Sequence, residues 1–414
     1  MNHRRVVITG LGAVTPLGLS VAETWEGLLA GRSGVATITQ FDASTYPIRI
    51  AGEVKGFDPT RYINFKEARR MARCSQFAVA AGLEAMADAG LGERVPDPER
   101  AGVVIGVGVG GLDQAITGMD TLRSKGFSRV SPFTLPATVP NMPAYHLSVL
   151  FQCQGHSCTI ATACASGTQA LGEAMVAIQR GAADLILSGG AEGMLNEMSF
   201  AGFIAMRALA DNNEEPEKAS KPFDARRDGF VMSEGCAVFV LESLEHALAR
   251  GAHIYAEVLG YAASADAFHI AQPDPEGLGA ARTMRWALQN AGIEPAEIDV
   301  INSHGPGTPL GDSSETRAIK TVFGEHAYRL AVHSTKSMIG HAFGAAGAIE
   351  ALASVQTICA GVIHPTINLE VPDPELDLDY VPNQARAASV RTVLSNSFGL
   401  GGQNACLVLR RYEA

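Results

Sequence analysis

The sequence predicts a layered α/β fold made of two duplicated halves. Short runs rich in β-branched residues alternate with Ala-rich helical runs, a pattern typical of strands and helices packed in layers. An Ala-rich segment followed by a strand occurs twice, at 85–91 and again at 287–293, which favours a duplication. Of the 414 residues 47% are hydrophobic, enough for a large core. We place the boundary between the halves at 251–257, giving domains of residues 1–252 and 253–414.

The individual elements follow from the same alternation. The predicted strands are Arg4–Gly10, Gly102–Gly108, Leu185–Gly189, Ala237–Leu241, Ile298–Ser303 and Ala405–Leu409. The predicted helices are Arg69–Ala89, Thr168–Arg180, Leu278–Ala291 and Ala345–Ala360. The Gly-rich segment Ser395–Asn404 is predicted to be a turn between two strands.

Composition excludes several classes of protein. A net charge of −11 argues against general nucleic-acid binding, which favours basic domains. We find no apolar span of 18 residues and therefore expect no membrane helix, and the apolar run at the start is too short for a signal peptide. The seven Cys form no CxxC pair and no zinc spacing, so we expect reduced thiols and a cytoplasmic location.

Cys164 is the most informative residue of the chain. It lies in a run of small residues, Ala161–Gly167, directly before a predicted helix. Backbone N–H groups at a helix start favour negative charge, so we expect this thiol to ionise readily and act as a nucleophile. A lone Cys is more often a small buried hydrophobic residue, and the functional interpretation therefore needs partners elsewhere in the chain.

Two histidines supply such partners. His304 follows a predicted strand and enters a Gly/Pro turn, and His341 precedes the second of the two comparable helix starts. If the halves are duplicated, we expect Cys164 and His341 to occupy equivalent helix starts that face each other across a pseudo-dyad. A thiol with two imidazoles provides a nucleophile and two proton donors or acceptors.

Lys336 lies in an otherwise apolar, Gly-rich segment. A buried ammonium needs a carboxylate partner, and Glu315 or Asp312 would supply one. An exposed Lys336 is the alternative, since lysines are mostly exposed. Neither Gly-rich segment indicates a nucleotide site: Ser395–Asn404 lacks the GK[ST] ending of a P-loop, and Gly106–Gly111 is a weak match to a dinucleotide-binding loop.

Six motifs in order make the chain resemble the β-ketoacyl-[acyl-carrier-protein] synthase II group of condensing enzymes, which have the thiolase fold. The motifs are Val6–Gly12, Thr162–Gly167, Lys221–Phe230, Asn302–Gly305, Lys336–His341 and Asn396–Asn404, and the resemblance covers essentially the whole chain. It implies a five-layer αβαβα fold with two halves related by a pseudo-dyad. It also implies an acyltransferase of fatty-acid or polyketide synthesis.

The resemblance implies a reaction in two halves. Cys164 takes an acyl group from a carrier-protein thioester, and a malonyl thioester then loses CO₂ to give an enolate that attacks the acyl-Cys carbon. His304 and His341 complete the implied Cys-His-His site, and Lys336 with Glu315 matches an ion pair that orders the second histidine. No cofactor is implied, because phosphopantetheine arrives on the carrier protein, and no metal is expected.

The resemblance also assigns binding residues. Leu400 and Phe398 match positions for oxyanion stabilisation and gating, Val109 a position that limits the acyl pocket, and Thr308 a contact to the pantetheine arm. The acidic carrier protein implies a basic docking surface, for which the candidates are Lys66, Arg69, Arg70, Arg73 and Arg207. Arg69, Arg70 and Arg73 should fall close together on one helix face, although a solvated face is the plain alternative.

Several residues depart from the family pattern. Pro306 and Ala271 stand where threonines are usual, Leu400 replaces the gating Phe, and Gln403 replaces a Thr. We therefore expect a specialised synthase with an unusual acyl chain or partner. The resemblance implies a homodimer with contacts from Leu112–Leu150, and a heterodimer with a related subunit is an alternative; neither nucleic acid nor membrane is an expected partner.

Two other functions stay open at this stage. The first is a chain-length partner subunit of a ketosynthase heterodimer, which usually lacks the nucleophilic Cys that is present here. The second is a thiolase acting on coenzyme A esters, which needs a second Cys as base; Cys406 lies in a predicted strand and not in the Gly-bounded loop expected for that role.

Overall fold

A computed structural model describes residues 4–413; residues 1–3 and 414, onto which the two predicted domains extend, lie outside the described residues. The strands are β1 Val6–Val14, β2 Val35–Thr37, β3 Ile50–Gly52, β4 Ala101–Gly106, β5 Ser157–Ile160, β6 Leu185–Glu192, β7 Gly235–Ser243, β8 Ala256–Ala265, β9 Val300–Asn302, β10 Ala331–His333, β11 Val362–Ile363, β12 Arg386–Ala387, β13 Thr392–Gly399 and β14 Gln403–Arg410. The helices are α1 Val21–Leu29, α2 Phe65–Ala68, α3 Arg73–Asp88, α4 Leu112–Lys125, α5 Thr134–Thr138, α6 Met142–Phe151, α7 Ser166–Gln179, α8 Glu197–Ala205, α9 Leu244–Ala249, α10 Leu278–Ala291, α11 Pro309–Phe323, α12 Lys336–Ile339 and α13 Ala346–Ala360.

Ten strands form one ladder that divides into two five-stranded halves of the same topology. The strand order is β5-β4-β6-β7-β1 in the first half and β10-β9-β13-β14-β8 in the second. In each half the first two pairings are parallel and the next two antiparallel. The halves join where β1 pairs with β8 at Val7↔Glu257 and Ile8↔Ala256. The repeated order and direction of the strands are those of a duplicated fold.

Helices α7 and α13 form the middle of the molecule. They pack against each other and contact strands of both halves, whereas α3 packs on β1 and β7, and α10 packs on β8 and β14. This gives five layers, αβαβα, as the sequence predicts. Small residues allow the close central packing: a Cβ built on Gly167 would lie 2.8 Å from Ala348 N. The small-residue run after Ala161 therefore lets α13, rather than a ligand, approach the backbone of α7.

One core helix resembles a membrane span in length and composition. Among residues 4–413, the segment Phe343–Ala360 alone is long and apolar enough to cross a bilayer, and 83% of it is buried inside the fold. The expectation that the sequence holds no apolar span of 18 residues was wrong, as this segment shows. A helix that is apolar on all sides and enclosed by two sheets belongs to a protein core.

The predicted strands and helices are all present, most of them with shifted ends. The long central strand β8, which begins inside the boundary region proposed at 251–257, was missed. The turn predicted at Ser395–Asn404 is shorter than expected, since β13 and β14 pair as far as Gly399↔Gln403. The helix predicted from Arg69 begins at Arg73, because Ala72 is extended (φ −69°, ψ 155°).

The two helix starts are equivalent, but their residues match differently from the prediction. Ala163 (φ 49°) and Phe343 (φ 45°) both have left-handed backbone, and each opens a single 3₁₀ turn that leads into α7 or α13. Cys164 is therefore the counterpart of Gly344, and not of His341. His341 lies three residues before that point, so it enters the site from the segment preceding the turn.

Candidate active site

Cys164 is held in a rigid turn at the start of α7. The preceding residue, Ala163, has φ 49°, a conformation that costs a non-Gly residue free energy. The Ser166 hydroxyl stabilises this turn by accepting from Thr162 N at 2.9 Å and donating to Ala163 O at 2.7 Å. Only 4% of Cys164 is exposed. The thiol is thus fixed in position and reachable from the cavity alone.

The electrostatic environment of Cys164 differs from the sequence expectation. Burial raises the pKa of the thiol to about 11, whereas the backbone N–H of Leu400, the Lys336 charge and the N–H of Cys164 itself lower it by less. The prediction that the helix start makes the thiol ionise readily was wrong, because desolvation outweighs the N–H groups. The N–H groups of Leu400 and Cys164 both lie within hydrogen-bonding reach of the sulfur.

His304 is positioned by Glu315. The carboxylate of Glu315, on α11, accepts N–H from His304 at 2.9 Å and from Gly305 at 2.8 Å, and its Oε1 also accepts from the Asn396 amide at 3.1 Å. Gly305 has φ 32°, which a side chain would disfavour. Glu315 therefore fixes the turn that carries His304, and burial raises the pKa of this carboxyl.

The predicted pair of Lys336 with Glu315 or Asp312 was wrong, because Lys336 pairs with Glu350. The side chains of Lys336 and Glu350 are 1% and 0% exposed and form an ion pair on α12 and α13. The Lys336 ammonium also donates to His304 O at 2.5 Å and lies 3.4 Å from His304 Nδ1. It therefore orders the first histidine and not the second. Both carboxylate oxygens of Glu315 instead accept from the backbone of the His304 turn.

His341 faces His304 across the site. Its backbone N–H donates to Val231 O at 2.7 Å, and its ring stacks on Phe343 at 4.7 Å between centroids. The rings of His304 and His341 lie 5.3 Å apart at 84°. Burial lowers the pKa of both imidazoles well below the usual value, so both are neutral near pH 7.

The contacts at Nδ1 define the tautomer of each ring. An ammonium has only donors, so His304 Nδ1 must accept from Lys336. His341 Nδ1 accepts from Phe343 N at 3.3 Å. In each neutral ring the proton is then on Nε2. The two imidazoles therefore offer two N–H donors to a ligand, and no strong proton acceptor.

A cavity of about 470 Å³ brings these residues together. Cys164, His304 and His341 line it, with Phe398, Leu400, Thr308 and Arg207 on the wall. The Phe398 ring lies 6.0 Å from that of His304. Thr308 caps α11 by accepting from Gly311 N at 3.2 Å. Ala271 and Pro306, two of the departures from the family pattern, also line the wall.

Val109 does not line this cavity. In the single chain it is 40% exposed, on the loop after β4. Val109 therefore has no part in the wall of this cavity, and its role in limiting an acyl pocket stays a prediction. The signal came from the family pattern and carried no information about which surface the side chain faces.

The candidate basic residues separate into two groups. Lys66, Arg69 and Arg70 are exposed on α2 and the turn that follows it, and Arg207 (φ 54°) is exposed at the cavity wall. Arg73 instead forms an ion pair of 2.7 Å with the fully buried Glu234. Arg73 is thus partly buried, with 25% of its side chain exposed, and the expectation that it shares an exposed helix face with Arg69 and Arg70 was wrong.

Sequence reasoning missed Glu350 and an aromatic cluster. Phe203, Phe230 and Phe343 line the cavity and pack on one another and on His341. Scattered Phe residues give no sequence signal for such a cluster. Glu350 did give a sequence signal, because it is the only charged residue of α13 and a carboxylate in an otherwise apolar helix needs a cation nearby.

Comparisons with known proteins agree with this geometry. Residues 3–247 match the family "Beta-ketoacyl synthase, N-terminal domain", and residues 255–370 match "Beta-ketoacyl synthase, C-terminal domain". The chain belongs to the beta-ketoacyl synthase family.

Similar sequences and structures extend over the whole chain. It is 48% identical over 414 residues to 3-oxoacyl-[acyl-carrier-protein] synthase 2 of Synechocystis (100% of this chain and 99% of the relative). It is 47% identical over 413 residues to the synthase 2 of Staphylococcus aureus strain COL (100% of both). A beta-ketoacyl synthase structure from Burkholderia phymatum has a TM-score of 0.92 at 36% identity, with 99% of this chain and all of that chain covered.

Two further structures come from other contexts. The ishigamide ketosynthase/chain length factor has a TM-score of 0.93 at 38% identity, covering 99% of this chain and all of that one. A type II PKS acyl-carrier protein in complex with its ketosynthase, bound to the hexaketide, has a TM-score of 0.90 at 36% identity and full coverage of both chains. These likenesses establish the thiolase-like ketosynthase fold. Across residues 4–413 we find no group of three or more His, Cys, Asp or Glu side chains arranged to hold a metal ion.

Proposed function

We propose that this protein is a 3-oxoacyl-[acyl-carrier-protein] synthase that joins an acyl group to a malonyl unit with loss of CO₂. The observation that carries the proposal is the convergence of one thiol and two neutral imidazoles on a single cavity. Relatives about 48% identical over the full length carry the same name. The chain itself binds no cofactor in this scheme, because phosphopantetheine arrives with the carrier protein.

In the first half-reaction, Cys164 exchanges its proton for an acyl group. The thiol attacks the carrier-protein thioester, the C–S bond to pantetheine breaks, and the released pantetheine thiol carries the proton away. The tetrahedral oxyanion between these steps needs N–H donors, and those of Cys164 and Leu400 both approach the sulfur. Leu400 supplies this donor from its backbone, so the loss of the family's aromatic side chain leaves the donor in place.

In the second half-reaction, the imidazoles stabilise an enolate. Malonyl-carrier protein loses CO₂, and the electron pair of the broken C–C bond moves onto the thioester oxygen. The Nε2–H groups of His304 and His341 donate to that oxygen, as their tautomers allow. The enolate carbon then attacks the acyl-Cys carbon, and the C–S bond to Cys164 breaks to give 3-oxoacyl-carrier protein. The released thiolate takes up a proton from solvent, which replaces the proton lost in the first half-reaction.

Lys336, Glu350 and Glu315 are positioning residues in this scheme. Lys336 holds the carbonyl and Nδ1 of His304, and Glu315 holds its turn. Phe398 and Leu400 form the wall on which gating between acyl and malonyl binding depends. Lys66, Arg69, Arg70 and Arg207 would attract an acidic carrier protein, with Arg207 at the cavity itself.

An apolar surface supports a homodimer. The stretch Leu112–Leu150 exposes large side chains, with Phe127 85% and Leu135 76% exposed. Exposed apolar residues in such number mark an interaction surface. The edge strand β5 borders the same half of the sheet and leaves its outer side unpaired by residues 4–413. A second copy of this chain is the proposed occupant of this surface, and a related subunit is the alternative.

A reducing cytoplasm is the proposed location, because it suits seven free thiols.

The alternative functions receive less support. A chain-length partner subunit has no need of a complete thiol and imidazole site. A thiolase would need Cys406 as base, but Cys406 is fully buried in β14, is absent from the cavity wall and donates to Asn396 Oδ1 at 3.1 Å. The departures at Pro306, Ala271 and Leu400 keep a specialised acyl substrate as a prediction.

Mass spectrometry tests the proposal. The protein is incubated with a panel of acyl-carrier proteins, and its intact mass and native mass are measured. We expect one acyl adduct per chain on the wild type and none on Cys164→Ala, release of a 3-oxoacyl product on addition of malonyl-carrier protein, and a dimeric native mass. The acyl group that loads fastest identifies the substrate class. Product formation by Cys164→Ala in a mixed complex would instead indicate the chain-length partner, and rapid condensation of acetyl-CoA alone would indicate a thiolase.

A further inference from the structure

Glu192 is a buried carboxylate that the proposed mechanism does not use. It ends β6 and is fully buried. Within residues 4–413 it forms no ion pair with a Lys, Arg or His side chain. An unpaired carboxylate in a protein core is costly, so its surroundings must supply hydrogen bonds.

The hydrogen bonds come from both halves of the molecule. Glu192 Oε2 accepts from Gly108 N at 2.8 Å, in the first half, and from Gly344 N at 3.1 Å, in the second. Glu192 Oε1 lies 3.5 Å from Val109 N. One carboxylate thus binds the loop after β4 and the turn before α13 at the same point.

The packing around this point tolerates only glycine. A Cβ on Gly108 would lie 2.3 Å from Glu192 Oε2, and a Cβ on Gly344 would lie 2.2 Å from Gly108 N. The two segments therefore touch through their backbones, with the carboxylate between them. Side chains at either position would push the segments apart.

The Gly344 segment leads directly to the cavity, which Phe343 and His341 line. Gly344 follows Phe343, whose ring stacks on His341 and whose N–H donates to His341 Nδ1. Phe343 has φ 45°, so its left-handed backbone must be held in place by its neighbours. The hydrogen bond from Gly344 N–H to Glu192 restrains the residue that directly follows Phe343.

We infer that Glu192 is a positioning residue that fixes His341, through Gly344 and Phe343, relative to the loop of Gly108 and Val109. This inference rests on the proposed function for its kinetic consequences, but the restraint itself exists without catalysis. Without the carboxylate, the Gly344 N–H loses its acceptor in the first half, so the turn that carries Phe343 is held less firmly and the His341 ring is less fixed toward the thioester oxygen.

The charge state of Glu192 supports this role. Burial raises its pKa to about 7, although the N–H groups of Gly108, Gly344, Val109 and Gly110 lower it. The titratable groups that face it are the thiols of Cys74, on α3, and Cys164. The ionised carboxylate is the stronger acceptor, so the restraint should strengthen as pH rises through 7.

Glu192→Gln is the primary test, and Glu84→Gln is its matched control. Glu84 also accepts two backbone N–H groups, from Ala13 and Val21 at 2.8 Å, but lies on α3 away from the cavity. Hydrogen–deuterium exchange, which needs no substrate, gives the first readout. We expect segments 106–110 and 341–345 to exchange faster together in Glu192→Gln, and neither to change in Glu84→Gln.

Kinetics give the second readout. Glu192→Gln should load Cys164 with a short acyl group at the wild-type rate, while kcat for condensation falls by about 10- to 100-fold because His341 is displaced. Wild-type condensation should rise between pH 6 and 8, whereas the variant should show a smaller rise. Glu350 and Asp312 also titrate near pH 7, so the difference between the two profiles is the measure.

Three outcomes overturn the inference. The first is that hydrogen–deuterium exchange of either segment is unchanged in Glu192→Gln, and the second is that its kcat for condensation is unchanged. The third is that loading and condensation fall equally in Glu192→Gln and that Glu84→Gln shows the same losses. If Glu192→Gln does not fold, Glu192→Asp keeps the charge and should retain condensation in part; full loss of loading in that variant would count against positioning. A wild type that condenses nothing would refute the proposed function and still leave the exchange result to decide the restraint.

Discussion

The starts of α7 and α13 have the same backbone and different chemistry. Each begins with a left-handed residue, Ala163 or Phe343, and a 3₁₀ turn. At the next position α7 carries the Cys164 thiol, and α13 carries Gly344, where no side chain fits. Duplication therefore supplies two equivalent turns, and single side chains decide which of them reacts and which supports.

The largest expected effect concerns a carboxylate that α13 carries at a position where α7 has an uncharged residue. Glu350 of α13 corresponds by position to Ala170 of α7, and it neutralises the buried Lys336. Glu350→Gln leaves the ammonium without its carboxylate and should lower the free energy of unfolding by about 3–5 kcal/mol in urea titrations. Glu173→Gln on α7 keeps an oxygen that can accept from the Tyr261 hydroxyl and should cost at most about 1 kcal/mol. Equal losses in the two variants would contradict a special role for the pair.

An intermediate effect is expected where α13 lacks the side chain that α7 carries. In Gly344→Ala the new Cβ would lie 2.2 Å from Gly108 N, so the variant should lose about 1–3 kcal/mol of unfolding free energy through overpacking. Gly202→Ala is the control, because its Cβ meets no heavy atom within 4 Å and it should gain up to about 1 kcal/mol. A Gly344→Ala protein as stable as the wild type would show that the two turns tolerate the same residues.

The smallest effect concerns the strained residue itself. Ala163→Gly removes the steric cost of φ 49° but loosens the unfolded chain, so we expect a gain of up to about 1 kcal/mol in unfolding free energy. Ala174→Gly, in the helical interior of α7, should instead lose about 1 kcal/mol. If urea titration shows that Ala163→Gly loses as much as Ala174→Gly, the turn at Cys164 stores no strain.

Periodicity and motif order were sufficient for the layers and for most elements of this fold. Helix α10 spans Leu278–Ala291 as predicted, because its apolar residues face β8 and β14 and its ends carry glycines. Strand β8 was missed because its Ala- and Gly-containing sequence has no clear alternation, although it lies at the centre of the sheet. Burial there is set by neighbours that are distant in sequence.

In the candidate site, too, some features follow from local sequence and others only from the packing of the fold. Motifs identified Cys164, His304 and His341, but pairings between side chains depend on helix packing that no local pattern encodes. Lys336 and Glu350 are 14 residues apart, on two helices, and only the fold brings them together. The ionisation of Cys164 was misjudged for a related reason, since the helix start is visible in sequence and the desolvation of the thiol is not.

The order in which the chain is synthesised has a consequence for this site. The cavity draws on Cys164 from the first half, His304 and His341 from the second, and Leu400 from the turn before the last strand. The two sheet halves share one central core cluster, so neither half can bury its inner apolar face without the other. A nascent chain that has left the ribosome only as far as Cys164 would therefore have the thiol but neither histidine nor the Leu400 N–H. Chemistry would begin only after β13 and β14 have closed the second half.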